Sequence, residues 1–330
     1  MATRQRLADW LADARRDEGV SAELAGVIES LAAASQALGE RLRTAALDGY
    51  AGALETTNIH GETQKALDVL ANALFMERLS ANPAIGLLAS EEEDEVVDLG
   101  RSGAAYGVSF DPLDGSTNAD VNMTIGSIFS VHRLDPHHRS LLRKGRDQVA
   151  AGFAAYGPAT SLVLTFGKTA ALFQYAPDAG SFLLLDPRLS VPVHAREYAI
   201  NASRAPHWDE VVGEYVAHRV AGQKGPLGKA FNMRWTGSMV ADIQRILRRG
   251  GIFLYPVDAE TRHLGGRLRL LYEAAPIALI IEAAGGRATT GHEDLLDVVP
   301  HHLHQKVPVV LGSAEDVDHL VEAYRRYSAT

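Results

Sequence analysis

The chain has 330 residues, of which 46% are hydrophobic and 22% charged, and a formal net charge of −9. The length exceeds one average domain and the apolar share can fill a core. The acidic balance and the lack of a long Lys/Arg run exclude nucleic acid and anionic membranes as partners, and with no cysteine any metal must take oxygen or nitrogen ligands and no disulfide or thiolate chemistry is available. Met1 to Glu18 carries acids and no apolar h-region, so no signal peptide is expected. No apolar run reaches membrane-spanning length, and the expected compartment is the cytoplasm.

In chain order, helices come first. Leu7, Trp10, Leu11 and Ala14 recur at helical spacing, as do Val27, Ile28, Leu31, Leu38 and Leu42 after a start at Ser21. A third helix is predicted over Thr63–Leu79 through Leu67, Val69, Leu70, Ala73, Leu74 and Met76. From residue 84 the pattern turns to strands: 85–89, 106–110, 125–133, 149–156, 160–167, 170–175 and 181–185. Pro187 to Pro192 reads as a connector, which divides the chain into 1–189 and 190–330. The second part alternates helices (208–218, 237–249, 268–284, 316–327) with strands (251–255, 307–311). That alternation predicts a mainly parallel sheet flanked by helices, hence an α/β fold with a mixed sheet in its first half.

Acidic residues cluster at strand ends. Asp111-Pro112-Leu113-Asp114-Gly115-Ser116-Thr117-Asn118 follows one apolar run, and Ser90-Glu91-Glu92-Glu93-Asp94 follows another. Asp68 falls in the third helix and Glu273 far downstream. Mg²⁺ prefers hard oxygen ligands in octahedral geometry. Two carboxylates three positions apart in a tight turn converge on one point, with the Leu113 carbonyl between them. Pro112 fixes φ and Gly115 permits φ > 0, which would turn the Ser116 and Thr117 N–H groups toward an anion. Taken alone, the first motif also reads as a polar Asx turn and the Glu-rich run as a solvated loop. Two acidic loops, each directly after a buried strand, favour joint function.

Together with Ile125-Gly126-Ser127-Ile128-Phe129, Gly237-Ser238-Met239-Val240-Ala241-Asp242, Gly250-Gly251-Ile252-Phe253-Leu254-Tyr255-Pro256 and Leu268-Arg269-Leu270-Leu271-Tyr272-Glu273, these motifs resemble the class I fructose-1,6-bisphosphatases. The resemblance runs from about residue 7 to 327, in the family's motif order. It implies an α-β-α-β-α layered fold and a Mg²⁺-dependent sugar-bisphosphate phosphatase, with Mn²⁺ as an alternative ion. It implies metal ligation by Asp68, Glu91, Glu92, Asp111, the Leu113 carbonyl, Asp114 and Glu273. The scissile 1-phosphate would lie on Asp114, Gly115, Ser116 and Thr117, near Arg269. The distal phosphate would be held by Asn201, Trp235, Tyr255 and Arg267, with Arg234 reaching from a neighbouring subunit of a homo-oligomer, a tetramer or dimer. Glu62 stands where the family has Asp and is assigned to water positioning.

The sequence departs from the family's pattern at Arg267, Trp235 and Arg204, which replace Lys, Tyr and Tyr in the distal pocket. Arg keeps the charge and can bind phosphate through two N–H groups. A reshaped pocket makes sedoheptulose 1,7-bisphosphate a second candidate substrate. Ser21, Tyr106 and Arg133 match the family's AMP site, but Ala25 and Ala105 stand where polar partners are expected, which predicts weak AMP inhibition. His301, His302 and His304 read as a loop before the last strand, and Gly225–Lys229 lacks Walker spacing. A monophosphatase would not need the distal basic set, and a non-catalytic sugar-phosphate binder would not need so many converging acids.

Overall fold

A computed structural model describes residues 4–48, 50, 53–57 and 63–328 of the chain. The first stripes become α1 (Leu7–Asp17) and α2 (Ala22–Leu42). Leu7, Leu11 and Ala14 form the buried face of α1, and Trp10 stacks on Phe166 at 5.6 Å. The Ser21 hydroxyl accepts the Leu24 N–H at 3.0 Å, satisfying one of the donors a helix start leaves open. A hairpin of β1 (Ala53–Thr57) and β2 (Thr63–Lys65) leads into α3 (Ala66–Ser80). The third helix therefore starts three residues later than its apolar spacing predicts. It buries Leu67, Ala71, Phe75 and Leu79, an i, i+4 row, together with Asp68 beside it, and leaves Val69 exposed.

The first sheet holds β3 (Ile85–Ser90), β4 (Val97–Asp98), β5 (Tyr106–Asp114), β6 (Ile125–Arg133), β7 (Gln148–Tyr156), β8 (Thr160–Thr165), β9 (Ala170–Ala176) and β10 (Ser181–Asp186). Its order is β10-β9-β8-β7-β6-β5-β3-β4. All neighbours are antiparallel except β3 and β5. These strands read as continuous apolar runs because helices cover both faces; every residue of β5 is buried.

The second half contains β11 (Glu197–Ile200), α4 (Glu210–Val220), β12 (Asn232–Met233), α5 (Met239–Arg249), β13 (Ile252–Tyr255), β14 (Leu268–Arg269), α6 (Ala275–Ala283), β15 (Arg287–Thr289), β16 (Lys306–Val307), β17 (Val309–Gly312) and α7 (Ala314–Ser328). The second sheet runs β12-β11-β13-β17-β15. Its first three strands are parallel, as the βα alternation predicts, but β17 is antiparallel to both β13 and β15. No α-helix separates β15 from β17; the only helical piece between them is the short 3₁₀ turn Leu295–Asp297, so the chain returns reversed rather than by a crossover. The helix expected over 268–284 is likewise divided. Leu268–Arg269 pairs with β16, Leu270–Ala274 forms a π-helical turn, and α6 proper begins beside Pro276. Proline lacks the N–H that would donate one turn back, so it is tolerated only at a helix start.

Three packed cores define the layers. One lies between α1–α3 and the first sheet, with Val27, Phe75, Phe110 and Phe129. The second holds α5 and α6 between the two sheets, with Ile128, Phe153, Ile243, Ile277 and Phe253. The third covers the outer face of the second sheet with α4 and α7, through Val212, Leu254 and Leu320. The result is the α-β-α-β-α order.

Candidate active site

The acidic motif is not the tight turn its sequence suggests; it is the end of β5. Asp111 pairs with Ile128 and Asp114 with Gly126, so three steps on β5 match two on β6. That extra residue is a β-bulge. In a regular strand, side chains three apart point to opposite faces; the bulge brings Asp111 and Asp114 to the same side. Pro112, which has no N–H for the ladder, sits in the irregularity. The Ser127 hydroxyl donates to the Pro112 carbonyl at 2.8 Å, and the Leu113 N–H to Asp111 Oδ1 at 2.8 Å. The chain turns only at Gly115, whose φ is +75°. A Cβ there would stand 2.6 Å from Ser238 Cβ, so glycine is required both for conformation and for space. Ser116 and Thr117 open the short 3₁₀ helix that follows.

Asp114 reaches the second half of the molecule. Its Oδ2 accepts from the Ser238 hydroxyl at 2.8 Å and the Val240 N–H at 2.9 Å, at the start of α5. Helix starts favour an anion through their open N–H groups and dipole. Glu273, on the π-helical turn, accepts the Arg269 N–H at 2.6 Å. Asp111, Asp114 and Glu273 are all buried, and their carboxylate oxygens lie within 4.8 Å of one another. Burial, then repulsion from Glu91, pushes Glu273 up to about 8. Burial lifts Asp114 to about 6 against its hydrogen bonds to α5, and burial with Glu91, Asp114 and Glu273 nearby raises Asp111 well above the usual carboxylate range. Such crowding of buried acids is relieved by a cation, and an all-oxygen donor set fits a hard divalent ion.

Of the other expected acids, Glu91 acts directly on this trio, its charge bearing on all three carboxylates. It also meets Arg269 Nη1 at 2.5 Å. Glu92 is half-buried in the same loop, its N–H on the Ser90 hydroxyl at 3.2 Å. Asp68 is buried in the first turn of α3. One turn on, Asn72 accepts from Ser90 Oγ at 2.7 Å and donates to Glu93 at 2.8 Å, fastening α3 to the Glu-rich loop. Glu62 lies outside the described residues.

The distal residues gather at the carboxyl ends of three parallel strands. Tyr198 pairs with Met233, and Ile200 with Leu254. In consequence Arg234 and Trp235 follow β12, Asn201 follows β11, and Tyr255 closes β13 at one sheet edge, where open α/β sheets bind ligands. Trp235 stacks on Phe253 at 5.8 Å and tilts against Tyr255 at 5.5 Å. Burial raises the Tyr255 phenol, and the Arg267 charge opposes it. Arg234 and Arg267 are exposed. The Asn201 side-chain oxygen is engaged by Ser203 Oγ at 2.7 Å.

Sequence reasoning missed Asn72 and the clasp of Asp114 by Ser238 and Val240. It also assigned no role to Asp242, which burial raises to about 7 beside Asp114. Ser238 caps α5, accepting the Ala241 N–H, and its hydroxyl faces an acid 124 residues away, which no local pattern reveals.

Comparison with known proteins places this arrangement in a class. The model for the N-terminal domain of fructose-1-6-bisphosphatase matches residues 9–187, and that for its C-terminal domain residues 191–325. Proteins named fructose-1,6-bisphosphatase class 1 from Idiomarina loihiensis and Methylobacillus flagellatus are each 43% identical to the chain, over 94% and 96% of it and 96% of each relative. The crystal structure of Leishmania major fructose-1,6-bisphosphatase in holo form superposes with a TM-score of 0.90 at 35% identity, covering 98% of this chain and 99% of that one. The chain belongs to the class 1 fructose-1,6-bisphosphatase family. No described helix is long and apolar enough to cross a membrane.

Proposed function

We infer that the chain hydrolyses the 1-phosphate of fructose 1,6-bisphosphate to fructose 6-phosphate and phosphate, with Mg²⁺ or Mn²⁺ as cofactor. The observation that carries this reading is the buried trio Asp111, Asp114 and Glu273, within 4.8 Å, in a chain of this family. Asp68, Glu91, Glu92 and the Leu113 carbonyl complete the metal-holding set. When bound, the cations supply positive charge against the phosphoryl oxygens and acidify the attacking water. The chain's own residues do the rest. Asp114, Gly115, Ser116 and Thr117 seat the scissile phosphate, and Arg269 opposes charge developing on it. Glu62 orients the water. Asn201, Trp235, Tyr255 and Arg267 hold the distal phosphate, joined by Arg234 of a neighbouring subunit in a dimer or tetramer. Residues 1–189 supply most of the metal ligands and 190–330 add Glu273 and the distal sugar-phosphate pocket of a cytoplasmic enzyme.

Arg267, Trp235 and Arg204 at the distal end support sedoheptulose 1,7-bisphosphate as a second substrate. Phosphate release is measured from both bisphosphates and from inositol 1-phosphate, with Mg²⁺ and with EDTA. Turnover of fructose 1,6-bisphosphate that EDTA abolishes is expected, with none of inositol 1-phosphate. Release only from inositol 1-phosphate, or full activity in EDTA, contradicts the reading.

A further inference from the structure

Two loops frame the distal end of the site. One leaves β11 at Asn201 and runs to Asp209, the cap of α4. The other leaves β13 after Tyr255 and ends at Arg267, before β14. Three of the four residues assigned to the distal phosphate within one subunit therefore sit at the roots of these loops. Neither loop has regular structure beyond short 3₁₀ turns, so their spacing needs a separate cause.

That cause is an ion-paired knot. Arg204 Nε donates to Asp258 Oδ2 at 2.8 Å, Nη2 lies 2.8 Å from the same oxygen, and Nη1 donates to Glu260 at 2.7 Å. Asp258 Oδ1 accepts from the Glu260 N–H at 3.0 Å, the Thr261 N–H at 2.9 Å and the Thr261 hydroxyl at 2.9 Å. The Ala259 N–H donates to the His207 carbonyl at 3.0 Å, and the His207 ring lies 3.2 Å from Glu260. Asp258 is 4% exposed and both its oxygens are occupied, so the Arg204–Asp258 pair is largely shielded, while the Glu260 arm is open to solvent. A buried carboxylate that gathers donors from two segments fixes their separation.

We propose that Asp258 and Arg204 form a latch between the two loops, and that Asp258 is a positioning residue setting the distal pocket for a sugar phosphate. The inference rests on the sugar-bisphosphatase reading but assigns Arg204 to loop spacing, not to phosphate contact. Preorganised loops lower the ordering cost of binding, and a small misplacement of such groups weakens binding strongly. The latch therefore acts on sugar-phosphate affinity and leaves the metal end alone.

The test compares the full-length wild type with Asp258→Asn, Arg204→Met, Arg204→Lys and the Asp258→Asn/Arg204→Met pair. Calorimetry gives the Kd of fructose 6-phosphate, and turnover gives KM, kcat and the metal activation constant. Expected is a rise of about tenfold in Kd and KM in Asp258→Asn and Arg204→Met, no further rise in the pair, and a smaller one in Arg204→Lys. The kcat and metal activation constant should stay within about twofold of wild type. Unchanged or tighter binding in Asp258→Asn overturns the latch, as do additive effects in the pair, which would make Arg204 an independent phosphate contact. Equal damage to the metal activation constant also overturns it. Arg204→Lys keeps the charge, so it reports even where Asp258→Asn folds poorly. A wild type that releases no phosphate from fructose 1,6-bisphosphate sinks the underlying reading, whereas the calorimetric Kd judges the latch separately.

Discussion

Asp114 has two tasks: it belongs to the buried acid trio and clasps the start of α5. Asp114→Asn keeps a side-chain oxygen for Ser238 and Val240 and removes the charge. It is expected to slow turnover at least about a hundredfold, the scale of losing one preorganised electrostatic group, with little change in thermal unfolding. Wild-type turnover would remove Asp114 from the site. Protonation gives a second handle. Glu273 is pushed up to about 8 and Asp114 to about 6, so near neutral pH protons screen the metal-free cluster. These raised carboxyls bind more protons folded than unfolded, so their stabilising share is present at low pH and is lost as pH rises toward 8. A metal must displace the protons, so its affinity should rise from pH 6 to 8 with proton release. Calorimetry in two buffers of different ionisation enthalpy checks this; binding with no proton release contradicts it.

At the scale of elements, the site depends on a strand that bulges, a helix that begins at an acid, and a widened turn. Gly115 lies where the first two meet. Gly115→Ala forces a Cβ to within 2.6 Å of Ser238 Cβ at φ +75°, and should cost about 1–3 kcal/mol in urea unfolding through backbone strain, with activity lost alongside. A variant as stable and active as wild type would show that the β5–α5 junction is loose. The strands of the first sheet other than the two-residue β4 were legible from their apolar runs, and the first helices from their stripes and from Ser21. The bulge was not, because Asp-Pro-Leu-Asp-Gly carries the same residues as a polar turn; only pairing with β6 makes it strand. Strand β11 escaped because its four residues follow an irregular connector. The strand and π-helical turn before α6 read as helix because Leu268–Glu273 shares the apolar density of the helix it leads into.

For the whole molecule, that Asp111, Asp114 and Glu273 would meet beside Glu91 was readable only through the family resemblance. Glu91, Asp111 and Glu273 belong to elements far apart in the chain, and periodicity says nothing about contacts of such long range. The Arg204–Asp258 knot was equally invisible, since neither residue lies in a regular element. Away from the active site, Ser21 Oγ and the Tyr106 hydroxyl lie 3.0 Å apart, with Arg133 Nη2 donating to the same Tyr106 oxygen at 3.4 Å. These groups already serve one another, and Ala25 and Ala105 add no polar contact. AMP at micromolar concentration is therefore expected to leave turnover nearly unchanged; strong inhibition in a dose series would refute this.

Catalysis at this site requires a divalent ion held by carboxylates brought together from both halves of the fold. Electron paramagnetic resonance of free Mn²⁺, titrated into the wild type and into Asp111→Asn and Glu273→Gln, measures this without turnover. Saturable binding in the wild type, weakened at least about tenfold in each variant, is the result predicted for ligands sharing an ion. Equal Mn²⁺ affinity in all three proteins would contradict it.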